Sequence, residues 1–175
     1  MPVLWQSTTM SIVIHACEEA HLPEVQSIYA LEVLEGTASF ETEPPDVEEI
    51  RRRYRKITES GLPYLVAIEM NAVVGYCYAS PYRARAAYQY SVENSVYVAS
   101  WARRRGVGLI LLNALLEKVE AGPWRQMVAV IGGSAHTASI KLHEQAGFRQ
   151  VGVLKDVGFK FGEWVDTVIM QRAVN

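Results

Sequence analysis

Hydrophobic and polar positions change period several times along the chain, and each change marks an element. Residues 11–16, SIVIHA, are an apolar run of strand length. In LPEVQSIYALEVL the positions Leu22, Val25, Ile28, Tyr29 and Val33 fall on one face at helical spacing. GTASFETEPP then breaks the pattern, because glycine and two prolines forbid a continuing helix. A second helix is expected after Pro45: DVEEIRRRYRKITESG opens with acids, carries its bases later and stops at Gly61, the order a helix dipole favours. Its Arg51–Lys56 cluster reads as a solvated helix face.

YLVAIEMNAVVGYCYASPY predicts two strands joined by a tight turn at Met70–Asn71. YSVENSVYVA, Tyr90 to Ala99, is rich in β-branched and aromatic residues and predicts another strand. An apolar helix follows from about Val107 to Glu120, then a buried strand in QMVAVI. TASIKLHEQAG predicts a short helix capped at Gly147, and FRQVGVLKDVGFKFGEWVDTVIMQ two closing strands. The order β-α-α-β-β-β-α-β-α-β-β predicts one α/β domain, in the α+β sense, with a single mixed, mostly antiparallel sheet flanked by helices. That domain is expected to span 11–175. Residues 1–10 are expected to form a loose extension, with Met10 as an alternative start.

Composition narrows the function classes. At 175 residues, half of them hydrophobic, the chain is long enough to bury a sizeable core. Its formal net charge of −2 supplies no global basic field, which argues against a nucleic-acid partner. Two cysteines, Cys17 and Cys77, make neither a disulfide framework nor a zinc site and fit a reducing compartment. No apolar run approaches the roughly 20 residues of a membrane span, and the start of the chain lacks a signal-peptide pattern. The expected setting is the cytoplasm.

The stretch RRRGVG, Arg103 to Gly108, sets three cations against two glycines at the mouth of the apolar helix. Helix N-termini carry unpaired N–H groups and about half a positive charge, and glycines let an anion approach the backbone. The spacing Arg-x-x-Gly-x-Gly is neither the P-loop nor the Rossmann pattern. From these residues alone, a solvated loop, a nucleic-acid patch and a phosphate cradle all remain open.

The run from ENSVYVASWARRRGVGLILLNALL to SAHTASIKLHEQAGF resembles the GCN5-related N-acetyltransferases. Their signature, Arg/Gln-x-x-Gly-x-Gly/Ala between a strand and a helix, matches Arg103, Gly106 and Gly108, and their later Gly-Phe pair matches Gly147–Phe148. SFETEPP, YRARAAYQYSVENSVYV, SIKLHEQAGF and GFKFGEWVD further resemble the branch that acetylates phosphinothricin and methionine sulfoximine or sulfone. The resemblance implies that Arg103, Arg104, Gly106, Val107 and Gly108 hold the pyrophosphate of acetyl-CoA, with no metal, while the strand around Val96 and Val98 contacts pantetheine. His136 stands where many relatives have asparagine, and it is expected, with Ser139, to meet the coenzyme arm.

For catalysis the resemblance implies Glu93 as the general base, directly or through water. It implies His143, which replaces the tyrosine common in the wider superfamily, as the acid near the departing sulfur. Phe40, Arg83, Arg85 and Tyr88 fall in the motifs for the small-molecule amine; an arginine suits a carboxylate or phosphinate through paired charge-assisted bonds. A homodimer is expected, with Lys160 and Phe161 at its interface and Trp164 and Asp166 serving strand packing. Acetylation of a protein N-terminus, a lysine or an antibiotic amine is the alternative within this class. A non-catalytic coenzyme A sensor is the alternative outside it.

Overall fold

The computed structural model describes residues 11–175; the extension expected over 1–10 lies outside the described residues. Seven strands and four α-helices follow one another in the predicted order: β1 Val13–Ala16, α1 Leu22–Glu35, α2 Val47–Glu59, β2 Tyr64–Glu69, β3 Ala72–Pro81, β4 Ser91–Val98, α3 Val107–Glu120, β5 Gln126–Gly132, α4 Thr137–Gln145, β6 Arg149–Lys160 and β7 Glu163–Ala173. The strands form one sheet in the order β1-β2-β3-β4-β5-β7-β6. Only β4 and β5 pair parallel; every other neighbour is antiparallel.

Local chemistry explains several of these boundaries. The β2–β3 turn uses left-handed backbone at both Met70 and Asn71, the geometry that matches the twist of a two-residue hairpin. Asp46 caps α2, its Oδ1 accepting from the Glu49 amide at 2.8 Å. Beyond that cap, the basic face of α2 is neutralised by Glu19, Glu41, Glu48 and Glu49, as a solvated face would be.

Strand alternation sorts the core onto two faces. On one, Tyr64, Tyr76 and Tyr97 pack against Tyr29 of α1 and Tyr54 of α2, with ring centroids 5.2–6.0 Å apart. On the other, Gly75 and Cys77 face α3, where Leu111, Leu112, Leu115 and Leu116 are fully buried or nearly so. Both cysteines are free and buried.

The β6–β7 hairpin departs from this order. Trp164, expected to pack, is 67% exposed and touches only the ring of Phe159, also exposed, at 5.0 Å among aromatic neighbours. Among the described residues, Leu154, Val157 and Phe161 of the same hairpin are exposed as well. Lys160 runs the other way. It was expected at an interface, yet it is 4% exposed, and its ammonium donates to the carbonyls of Gly36 (2.8 Å) and Ser39 (2.7 Å). Those two carbonyls belong to the loop after α1, so the lysine is an internal strut.

Candidate active site

The site begins where the sheet splits. β4 and β5 pair in register only from Ser91–Gln126 to Asn94–Ala129. Beyond Asn94, β4 stays bound to β3 as far as Val98, while β5 stays bound to β7 as far as Gly132. Each strand keeps its outer partner and follows the twist of its own half-sheet, so the inner edges part. The backbone groups of Ser95 to Val98 on that edge then face a cavity instead of a strand.

Two cavities meet at this fork. The first, of about 260 Å³, is lined by Phe40, Glu93, Asn94, Val96, His136, Ser139 and His143, together with the end of β5. The second, of about 510 Å³, is lined by Val96, Val98, Arg103, Arg104, Gly106, Val107, Gly108, His136 and Ser139, along the cleft between α3 and α4. Val96, Tyr97, Ala38, His136 and Ser139 belong to both, so the two are one groove bent around the β4 edge.

The second cavity ends at the start of α3. Gly106 sits before α3 with φ of 80°, a left-handed conformation that turns the chain from β4 into the helix. No side chain caps this N-terminus and no acid lies in its first turn, in contrast to the Asp46 cap of α2. The three arginines divide. Arg105 grips the buried carboxylate of Glu69 with two hydrogen bonds, 2.9 and 2.6 Å, and faces away from the groove. Arg103 pairs with Glu32, while Arg104 lines the groove with no acid partner among the described residues. An uncapped helix start with a free cation fits a pyrophosphate.

The first cavity holds the titratable groups. Alternation along β4 puts Glu93 on the α1–α2 face and Asn94 on the α3–α4 face, and the fork lets both reach the cavity. Burial raises the proton affinity of Glu93, with Arg83 pulling the other way. His143 is 4% exposed. Its Nδ1 lies 2.8 Å from the Ser139 carbonyl and its Nε2 3.0 Å from Asn94 Oδ1. Burial lowers its proton affinity and the Ser139 contact opposes that effect.

The substrate-motif residues separate. Phe40 forms one wall, on a loop so close to β5 that a Cβ on Gly132 would fall 2.0 Å from the Thr37 carbonyl. Arg83, Arg85 and Tyr88 lie on the exposed segment between β3 and β4 and line neither cavity; Arg83 stacks on Tyr82 at 4.9 Å. Asn94 and Glu32 are neighbours of the site that sequence reasoning missed and Lys160 one that it misplaced, because their partners lie 49, 71 and more than 120 residues away.

One groove thus joins an uncapped helix start and a free cation to a half-buried carboxylate and a buried imidazole. The model of the acetyltransferase (GNAT) domain matches residues 14–169. The chain is 53% identical over 154 residues to the phosphinothricin N-acetyltransferase of Alcaligenes faecalis, covering 88% of this chain and 78% of that one. It is 36% identical over 163 residues to the L-methionine sulfoximine/L-methionine sulfone acetyltransferase of Pseudomonas aeruginosa, with 93% and 94% covered. Among solved structures, a GNAT superfamily phosphinothricin acetyltransferase from Sinorhizobium meliloti in complex with AcCoA superposes with a TM-score of 0.91 at 43% identity, covering 94% of this chain and 89% of that one. The chain belongs to the GNAT family and is an N-acetyltransferase.

Proposed function

We propose that the protein transfers the acetyl group of acetyl-CoA to the amine of a small amino-acid-like molecule of the phosphinothricin, methionine sulfoximine or methionine sulfone type. The observation that carries this reading is the junction of the two cavities at the β4–β5 fork, with Glu93 and His143 on one side and the uncapped start of α3 on the other. The names of the relatives support the amine class.

Arg104, the first-turn amides of α3 and Arg103, once released from Glu32, hold the pyrophosphate. Val96 and Val98 on β4, with His136 and Ser139, flank the pantetheine arm and bring the thioester to the fork. Glu93 accepts the proton of the substrate ammonium; its raised proton affinity suits a base working near neutral pH. The neutral amine attacks the thioester carbonyl, an open N–H of the β4 edge near Val98 stabilises the oxyanion, and the attacking nitrogen gives its second proton to solvent. Collapse breaks the C–S bond, and the thiolate takes a proton from His143. Arg83, close enough to act on Glu93, receives the carboxylate or phosphinate, with Arg85 and Tyr88 on the rim and Phe40 as the apolar wall.

Transfer is direct, in a ternary complex. Cys17 and Cys77 line neither cavity, and burial pushes the Cys17 thiol up to about 12 and that of Cys77 higher still. The exposed side chains of Leu154, Val157, Phe159, Phe161 and Trp164 give the β6–β7 hairpin an apolar face suited to a second copy of the chain. The two buried, unpaired cysteines are in keeping with a cytoplasmic setting.

The test is thiol release from acetyl-CoA with phosphinothricin, methionine sulfoximine, methionine sulfone and a panel of peptides and aminoglycosides. It is run on the native protein and on Glu93→Gln. The expected result is turnover with the amino-acid analogues that drops about 10²-fold or more in the variant. Turnover confined to peptides or aminoglycosides overturns the amine class, and turnover indifferent to Glu93 overturns the base. Tight acetyl-CoA binding without turnover on any amine favours a coenzyme sensor.

A further inference from the structure

We propose that Asn94 is the positioning residue that holds the transferable proton on His143. The inference rests on the reading of His143 as proton donor and adds a residue to which neither the family signature nor its spacing points.

Asn94 is the last residue of β4 still paired with β5, and its side chain is buried at the fork. Its Nδ2 donates to the Val128 carbonyl at 3.2 Å, which fixes the amide orientation. Turned over, Oδ1 would face that carbonyl, oxygen against oxygen. In the fixed orientation, Oδ1 meets His143 Nε2 at 3.0 Å. On the other side of the ring, Nδ1 meets the Ser139 carbonyl at 2.8 Å. Both partners can only accept, so all the contacts are satisfied only when the imidazole carries two protons. A neutral ring retaining Nδ1–H would set a bare Nε2 lone pair against the amide oxygen.

This matters because only the Ser139 carbonyl otherwise offsets the cost of burying the charge. The ring is buried, Phe148 lies nearly perpendicular to it with centroids 5.1 Å apart, and no carboxylate among the described residues touches it. Among titratable groups, Glu93 on β4 and His136 at the start of α4 line the same cavity. Lys141 and Glu144 flank it on α4 and are exposed, and Arg172 of β7 is engaged by the Ala146 carbonyl and Glu120. The Ser139 contact lies within one turn of α4 and keeps the Nδ1 proton in place. The Nε2 proton is therefore the one the ring can give to the thiolate, and Asn94 penalises the ring that has lost it. Asn94 in this way opposes the effect of burial on the ring.

Three proteins test this: native, Asn94→Leu, of similar shape but with no hydrogen-bond acceptor, and Asn94→Asp, with a stronger acceptor. The titration of the His143 Cε1–H resonance is followed by NMR and assigned by its absence in His143→Gln. A hydrogen bond to a charged partner changes proton affinity by about tenfold or more, so the midpoint should fall by about one pH unit in the leucine variant and rise in the aspartate variant. The alkaline limb of kcat should move to lower pH in Asn94→Leu and return in Asn94→Asp, with KM for acetyl-CoA within about twofold of native. A His143 midpoint the same in all three folded proteins overturns the proposal. A midpoint that moves as expected while the kcat limb stays fixed supports Asn94 as the proton holder and sinks only the proton-donor reading of His143.

Discussion

Gly108 offers a substitution whose effect on folding should be opposite in sign to that of the same change at Gly106. It is the second residue of α3, and its φ lies outside the left-handed range. A methyl group built there meets Leu142 Cδ2 at 3.4 Å, Leu142 Cδ1 at 3.5 Å and Val98 Cγ2 at 3.7 Å, all ordinary contact distances. The fold has no need of glycine at this position. Alanine in a helix is favoured over glycine by about 0.5–1 kcal/mol, and in a domain of this size each kcal/mol moves Tm by about 2–4 °C. Gly108→Ala should therefore raise Tm by about 1–4 °C. The same methyl enters the cleft between α3 and α4 assigned to the coenzyme. The signature admits alanine at this position and no neighbour has to move, so Kd for acetyl-CoA should stay within about threefold of native.

Gly106→Ala is the control. Its Cβ meets nothing within 4 Å, but φ of 80° costs an L side chain about 1–2 kcal/mol, so Tm should fall by about 2–8 °C. Thermal unfolding of the free proteins and calorimetric titration with acetyl-CoA read both quantities. If Gly108→Ala lowers Tm, the packing argument is wrong, and a Kd raised about tenfold or more would mean that this loop does not work as the signature does.

Glu32→Gln frees Arg103, and since a half-exposed pair is worth about 0.2–1 kcal/mol, calorimetry should show acetyl-CoA binding up to about fivefold tighter; weaker binding would mean that Glu32 helps to build the site. Arg105 holds the Glu69 carboxyl below its usual range, so this pair stabilises the fold above the ordinary carboxylate pKa, and the benefit is lost as pH falls through the depressed folded value. Arg105→Met should lower Tm at pH 7 and flatten the acid-side decline while sparing KM for acetyl-CoA; a native Tm refutes it. Glu93 has the opposite sign: its raised folded pKa means native stability declines as pH rises from the unfolded towards the folded value. Glu93→Gln should thus be at least as stable as native at pH 8 by thermal unfolding while losing turnover, and a fall in Tm there would contradict the burial argument.

What was legible in the sequence was local. Helical spacing placed α1 and α3 to within a residue or two, and the Met70–Asn71 turn and the Gly147 cap announced themselves through residues that accept left-handed backbone or end helices. The glycine signature located the start of α3 because both its parts, the glycines and the helix they open, are neighbours in the chain. The fork was not legible. Where two parallel strands separate depends on their outer partners, and β3 and β7 are nearly 90 residues apart in sequence. The run RRR likewise reads as one patch, although Glu32, the open groove and Glu69 claim its members separately.

Lys160 carries that distinction into function. From the sequence it is a cation near the end of a hairpin, and solvent or a partner is the natural destination. The structure buries it because β6 ends beneath the loop after α1, where the carbonyls of Gly36 and Ser39 lack a backbone partner and an ammonium supplies one. The same loop bears Ala38 and Phe40 on the cavity wall, and Tyr29 and Glu41 join Ser39 on its other side. One residue on, Phe161 points out to the apolar face, with the Lys160 ammonium 5.0 Å from the centre of its ring. The wall of the amine cavity and the outer face of the hairpin are thus two sides of one strand end. Lys160 ties the loop that walls the cavity to a strand end remote in sequence from the signature motif.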